Sequence, residues 1–467
     1  GEMDDAFRHR FLTALYRHGC HLEWNLSVYF SPNTHLLIEA VALHALGLLF
    51  PSFPGAERWR RKGGQLVSAQ LDAQVRDDGS HFEQSTYYHV YALDAFLFHA
   101  VLEEVLPAFR SKLASMARFL AALLGPSREL PFFGDDDGGR FFHPYGPRNR
   151  FARATLATVV ALLDLDLPHQ PEDVFEQALW WLGPSARPRT AAAKPISQAF
   201  PGSGLIVLNH GDLHVIMDAG PFGPGSAGHS HSDTLSLVVR RGREEILIDP
   251  GAYTYVAEPG WRDRFRGSAA HNTVRVAGAD QAIPAGPFRW HQTPAAELIQ
   301  FVTGTDHDFA DAACSYQSVR HRRRLLLLKG PCLLLVLDEI DSPVPADRLL
   351  EQFWHPGESF RILAPDLFQI GTFAFLKVAG CGAVECSEGG DYGWRSPALG
   401  VKIPAPVVRA TLEGPLPAAF AAALSFYRAV SELQVSRMPE AVRLRIVQQS
   451  TFDVWFPRQG GWRLLSP

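Results

Sequence analysis

Cysteine is scarce in this chain. Five occur in 467 residues, at Cys20, Cys314, Cys332, Cys381 and Cys386. The number is odd and the spacing follows no zinc-ribbon pattern, which argues against a disulfide framework and for buried free thiols. Excess positive charge is missing too. Lys and Arg total 44 against 49 Asp and Glu, a formal net charge of −5, so no basic surface marks a nucleic-acid partner. The basic residues still suffice to line a local cleft for an acidic substrate. No apolar run is long enough to span a bilayer. Leu325–Leu328 and Leu333–Leu337 are strand-length runs, with Lys329-Gly330-Pro331 between them. There is no fixed-period repeat and no low-complexity tract. The N-terminus, Gly-Glu-Met-Asp-Asp, carries no signal peptide and reads as a cut end.

What is present divides by texture. At this length one ordinary core does not suffice, so two or three domains are expected. Residues 1–185 read as helix after helix. Asn33–Phe50 carries Leu36, Leu37, Ala40, Val41, Leu43 and Leu46 at helical spacing, and Tyr91–Leu106, Ser111–Leu124 and Arg153–Leu165 do likewise. Several are apolar on more than one side, which suits helical hairpins packed in a ring or layer. Gly183–Pro195, rich in Pro, Ala and Arg, marks a linker, taken as residues 186–200. From 201 to 467 the pattern is short strands punctuated by Gly and Pro, among them Gly204–Leu208, Leu213–Met217, Leu235–Arg240, Glu245–Ile248 and Thr273–Val276. An antiparallel β-sandwich is expected there.

The densest chemistry runs from Gly228 to Thr273: Gly-His-Ser-His-Ser-Asp at 228–233, Ile-Asp-Pro-Gly at 248–251 and Ala-Ala-His-Asn-Thr at 269–273. Strand periodicity places His229 and His231 on one face. If Leu235–Arg240 and Glu245–Ile248 form a hairpin through Arg241-Gly242-Arg243-Glu244, His231 and Asp249 share its open end, and His271 can return there. Two imidazoles and a carboxylate suit a divalent metal, Zn²⁺ foremost, with Asp233 as a supporting or substitute ligand. The bland alternative is a set of hydrogen-bonded loop residues.

The helical half holds three polar stretches. Asn33-Thr34-His35 opens a helix, with Asn33 as cap and His35 facing a cleft. Asp78–His89 mixes polar and aromatic residues, including Glu83, Tyr87, Tyr88 and His89. Its plain alternative is a helix entry capped by Ser85 or Thr86. Phe133–Arg140 contains Asp135, Asp136 and Asp137 and reads first as a solvated acidic turn.

On these motifs the chain resembles the heparinase II/III-type polysaccharide lyases. Asp249–Tyr255, Trp261–Arg266, Ala270–Thr273, Gly286–Trp290 and His321–Arg324 carry the resemblance, together with Asn33–Leu37 and the segment around Tyr88-His89. It implies an N-terminal α/α toroid followed by a C-terminal antiparallel β-sandwich, and β-elimination of a uronic-acid polysaccharide or oligosaccharide. It implies that Tyr88 is the catalytic base or acid, with His229 opposite it. His35, helped by Asn33, would neutralise the uronate carboxylate. Thr34, Glu83, His89, Tyr255, Arg262 and Arg266 would contact substrate, and His231, Asp249 and His271 would hold the metal in a structural role. It also implies a secreted or periplasmic bacterial protein. Two departures stand out. Thr34 occupies the place where family members often carry Asn, and fewer helices precede Asn33 than a complete toroid supplies. Two competing expectations remain: a glycoside hydrolase using two of Glu83, Asp135, Asp136 and Asp137, and a non-catalytic carbohydrate-binding relative.

Overall fold

The computed structural model describes residues 4–29, 32–142, 148–173, 176–184, 186, 194–344, 347–357 and 359–465. Two compact units emerge, and they do not follow chain order. One comprises Gly1–Glu83, Tyr88–Ala121 and Gly139–Lys194. The other comprises Gln84–Tyr87, Ala122–Gly138 and Pro195–Pro467. Much of the expected linker lies outside the described residues, and its last part is already a strand, Gln198–Phe200.

The helices are α1 (Asp5–Trp24), α2 (Thr34–Leu49), α3 (Ala56–Gln74), α4 (Thr86–Leu102), α5 (Pro107–Leu124), α6 (Arg148–Leu163) and α7 (Glu176–Leu182). Helix α2 buries Leu36, Leu37, Ala40, Val41 and Leu43 as expected, while Leu46 is only half-buried. It packs against α3 at a contact that demands glycine. A Cβ on Gly63 would come within 2.5 Å of the His44 amide nitrogen and 2.7 Å of the Ala40 carbonyl oxygen, so any side chain there would force the helices apart. Helix α4 starts at Thr86, five residues ahead of the apolar run at Tyr91. The cause is non-local. The Thr86 amide donates to the Phe133 carbonyl (3.1 Å) and its hydroxyl to the Pro131 carbonyl (2.6 Å), while Ser85 Oγ donates to the Asp135 carbonyl (2.6 Å). The 131–135 stretch thereby fixes the start of the helix.

The β-rich unit opens with an antiparallel five-stranded sheet in chain order: β1 (Gln198–Phe200), β2 (Leu205–His210), β3 (Leu213–Asp218), β4 (Leu237–Arg241) and β5 (Glu244–Leu247). Arg241 pairs with Glu244, so the β4–β5 turn is the two residues Gly242-Arg243 rather than the four expected. Gly242 takes φ +53°, as a tight hairpin requires. An eight-stranded antiparallel sheet has at its centre Ala418–Phe426, Leu333–Asp341, Val319–Leu328 and His307–Tyr316. Leu325 and Leu327 enter the core shared with β2–β4, whereas Leu326 and Leu328 enter a second core with Val442, Leu444 and Phe456. This sheet is covered on both faces, which explains why its strands read as unbroken leucine runs. Among the described residues no helix is long and apolar enough to cross a membrane.

Candidate active site and metal centre

The loop between β3 and β4 carries the histidine motif. Residues 228–234 are not a strand, so strand alternation does not set the aim of His229 and His231. The loop is fixed by side chains instead. Thr273 Oγ1 and Gln281 Nε2 both donate to the Thr234 carbonyl at 2.9 Å, and Ser268 Oγ donates to the Ser232 carbonyl at 2.7 Å. Beneath it the buried Arg323 guanidinium donates to the carbonyls of Leu235 (2.6 Å) and Asn272 (2.5 Å) and pairs with Asp338 (2.6 and 2.8 Å). Asn272 closes the hairpin ends, donating to the carbonyls of Leu237 (2.7 Å) and Ile248 (2.8 Å) and accepting from the His355 amide (2.7 Å).

This frame brings His231, Asp249 and His271 together as the sequence implies. All three are buried, and one ligand atom from each lies within 4.8 Å of the others. His271 Nδ1 sits 2.7 Å from Asp249 Oδ2, and burial, which opposes charge on the ring, is outweighed by Asp249, so the His271 pKa is raised. His231 Nδ1 and His271 Nε2 are buried without a hydrogen-bond partner. Such atoms cost about 1–3 kcal/mol each if left unsatisfied, and a cation among these donors would satisfy them. The donor set therefore fits a divalent metal. Asp233 lies outside the triad. Burial raises its carboxyl pKa, against the pull of His271 and His231.

Asp135 organises the other side of the motif. Far from a solvated turn, it is fully buried. Its Oδ2 accepts from His229 Nδ1 (3.0 Å) and Arg262 Nη2 (2.8 Å), and its Oδ1 accepts from His231 Nε2 (2.9 Å) and Arg262 Nη1. Burial works against its charge, but the Arg262 guanidinium and the two imidazoles win and hold the carboxyl well below the usual range. A carboxyl kept ionised in this way is unsuited to general-acid duty, which counts against Asp135 as a hydrolase acid. Asp136 is buried as well and caps the turn to the Gly138 amide at 3.0 Å.

Two arginines expected on substrate are used internally. Arg262 is tied to Asp135 and to the Pro287 carbonyl (3.0 Å), and lies over the Tyr255 ring (5.1 Å). Arg266 bonds Asp263 (2.9 Å) and the Gly286 carbonyl (2.8 Å) beneath Trp290 (4.3 Å). Both side chains are buried, so their charge shapes the 284–290 loop instead of meeting solvent. Tyr255 and Phe288 flank the His229 ring at 6.4 and 6.2 Å. An open cavity of about 350 Å³ is lined by Asp263, Arg264, Asp280, Tyr392 and Trp394, among others, but by none of the residues assigned here to metal or catalysis.

In the helical unit Asn33 caps α2 as expected. Its Oδ1 accepts from the His35 amide (3.1 Å) and from His35 Nδ1 (2.8 Å). His35 is exposed, while Thr34 is buried, so Thr34 packs inward instead of replacing the family's asparagine. A residue the sequence did not single out, buried Gln74, donates to the Asn33 carbonyl (2.9 Å) and accepts from His81 Nε2 (3.0 Å). His81 in turn lies 3.7 Å from the buried Glu83. Tyr88 is in the first turn of α4, 6 % exposed, with its ring 6.4 Å from that of Tyr91. His89 is a core residue, bonded to the Met116 carbonyl (3.2 Å) and packed on Phe119, and burial pushes its pKa down to about 4. Its expected substrate contact gives way to packing.

The chain has the fold of heparinase III. A solved heparinase III superposes with a TM-score of 0.77 at 17 % identity, covering 96 % of this chain and 70 % of that one. The chain belongs to the heparinase II/III family: residues 1–140 match the family's N-terminal model, Heparinase II/III N-terminus, and residues 192–396 match Heparinase II/III-like, C-terminal. A heparin-sulfate lyase of Pedobacter heparinus is 31 % identical over 345 residues, 71 % of this chain and 47 % of that protein. One of Bacteroides stercoris is 22 % identical over 359 residues, 72 % and 47 %. The chain spans about half the length of these curated relatives.

Proposed function

We propose that this chain is a polysaccharide lyase that cleaves a uronic-acid-containing polysaccharide by β-elimination and leaves 4,5-unsaturated uronate ends. The observation that carries this is the Asn33–His35 pair. With Asn33 Oδ1 engaged by His35 Nδ1, the exposed ring offers Nε2 and the asparagine offers its amide hydrogens. Those donors suit a carboxylate whose neighbouring carbon must lose a proton, because they stabilise the enediolate that forms. Tyr88 removes the C5 proton, the electron pair forms the C4–C5 double bond, and the C4–O bond breaks. Tyr88 returns a proton to the leaving oxygen when both lie on one face of the sugar; when they lie on opposite faces, His229 takes the C5 proton and Tyr88 protonates the leaving oxygen.

Heparan-sulfate-type chains are the first polymer to test, since the curated relatives named above are heparin-sulfate lyases. His231, Asp249 and His271 hold Zn²⁺, which suits two imidazoles and a carboxylate. Bound there it supplies structural order to the loop that bears His229. The protein acts in the periplasm or outside the cell, where such polymers occur, and fractionation of the producing cells would detect a cytoplasmic pool if this placement is wrong.

The decisive experiment is ultraviolet absorbance on a panel of uronate polymers, with Tyr88→Phe beside the parent. A rising signal from the conjugated uronate is expected from the parent, reduced on the order of 10²-fold or more in Tyr88→Phe. An unaffected Tyr88→Phe would remove Tyr88 from the mechanism. Saturated reducing ends would replace the lyase with a hydrolase.

A further inference from the structure

We propose that Asp135 is a positioning residue that couples the metal centre to His229, so that loading the metal sets the tautomer and aim of the histidine used on substrate. The catalytic role of His229 rests on the lyase reading above; the coupling itself rests on geometry.

One carboxylate receives four donors. Its two oxygens take His229 Nδ1 at 3.0 Å, His231 Nε2 at 2.9 Å and both Arg262 terminal nitrogens. The backbone prevents the acid from turning away: the Asp135 amide donates to the His229 carbonyl at 2.9 Å, and Ser85 Oγ donates to the Asp135 carbonyl at 2.6 Å. Gly134 leaves no slack, since a Cβ there would come within 2.6 Å of the His229 carbonyl oxygen.

An ionised carboxylate only accepts hydrogen bonds, so each ring nitrogen facing it carries a hydrogen. His229 is thereby held as the Nδ1–H tautomer, with its lone pair on Nε2. His231 is held as the Nε2–H tautomer, which leaves its lone pair on Nδ1. That Nδ1 is a buried atom without a hydrogen-bond partner, on a residue of the metal triad. A cation bound to one imidazole nitrogen makes the opposite N–H a stronger donor. Loading the triad therefore tightens the bond that His231 donates to Asp135, draws charge from that carboxylate, and so alters the bond that His229 donates to its other oxygen. A simple ion pair would need Arg262 alone. Two imidazoles on the same carboxylate, one from the metal triad and one beside it, make the acid a connector.

The test follows the side-chain ¹⁵N signals of His229 in the zinc-loaded full chain, after chelation, and after zinc is returned, in the parent and in Asp135→Asn. In the parent, His229 is expected as the Nδ1–H tautomer, with signals that move on chelation and recover with zinc. In Asp135→Asn the tautomer preference and the response to zinc are lost, and zinc affinity falls about 10- to 100-fold. On a cleaved polymer, kcat falls on the order of 100-fold with KM changed less than about threefold. A purely structural acid would lower stability and leave the tautomer and its zinc response intact, and that outcome overturns the proposal. So do parent signals indifferent to chelation, a measurement that decides even if Asp135→Asn does not fold. Should no polymer be cleaved, the lyase reading fails while the ¹⁵N and zinc measurements still judge the coupling.

Discussion

Buried histidines give this protein a predictable acid response. His89 and His214 are fully enclosed, each bonded through one ring nitrogen to a backbone carbonyl, and burial pushes both pKa values from 6.5 down to about 4. Between those two values the unfolded chain binds protons that the folded chain refuses. Stability is therefore full above the unfolded pKa and declines as pH falls towards 4, by up to roughly 3 kcal/mol per ring. Urea midpoints at about pH 7 and about pH 4.5 would show it, and a midpoint that rises on acidification would sink the idea. At this scale the sequence yields the cluster of His231, Asp249 and His271, whose donors fit a metal, because all three flank one hairpin. It hides Asp135, whose partner His229 is 94 residues away. Three adjacent aspartates followed by glycines look like a wet turn until their distant partners are known. His89 misleads for the opposite reason: beside Tyr88 it reads as part of the site, but helical geometry turns its ring into the core. Gln74 escapes notice because an amide on a helix face has no chemical signature of its own.

Short elements carry the site by being tied at their ends. Asn272 bridges the start of β4, the end of β5 and the His355 amide with one side chain. Asn272→Ala strands two buried carbonyls and an amide, at a cost of about 3 kcal/mol, and loosens the hairpin mouth that His231 and Asp249 share. Chemical denaturation and a competitive zinc-binding assay should both report loss, and unchanged zinc affinity would show that the triad does not depend on this bridge. Hydrophobic periodicity gives most of the helices and strands to within a few residues, since burial of one or two faces is written locally. It misplaces the start of α4 and the aim of the 228–234 loop, because both are set by hydrogen bonds to segments far along the chain.

For the whole molecule, chain order and physical order differ. The stretches Gln84–Tyr87 and Ala122–Gly138 are read out among helices but belong to the β-rich unit. A fragment comprising residues 195–467 carries all of His231, Asp249 and His271 and lacks Asp135. It is expected to bind zinc at least about tenfold more weakly than the full chain, and titration of the two side by side would measure it. Equal affinity would mean that the 122–138 segment is dispensable to the centre. The family's fold is visible from sequence because helix-rich and strand-rich textures are so unlike. The partition is not, because a change of texture marks where strands begin and says nothing about which loops they recruit.

That recruitment constrains inheritance. A single crossover near residue 190 could exchange the strand-rich half with that of a relative, yet the incoming histidines would meet the resident acid at position 135, inherited from the other parent. Successful chimaeras should therefore need two further joints to carry the 122–138 insert along, and drift at Asp135 should be tolerated only when the Gly228–Asp233 motif drifts with it.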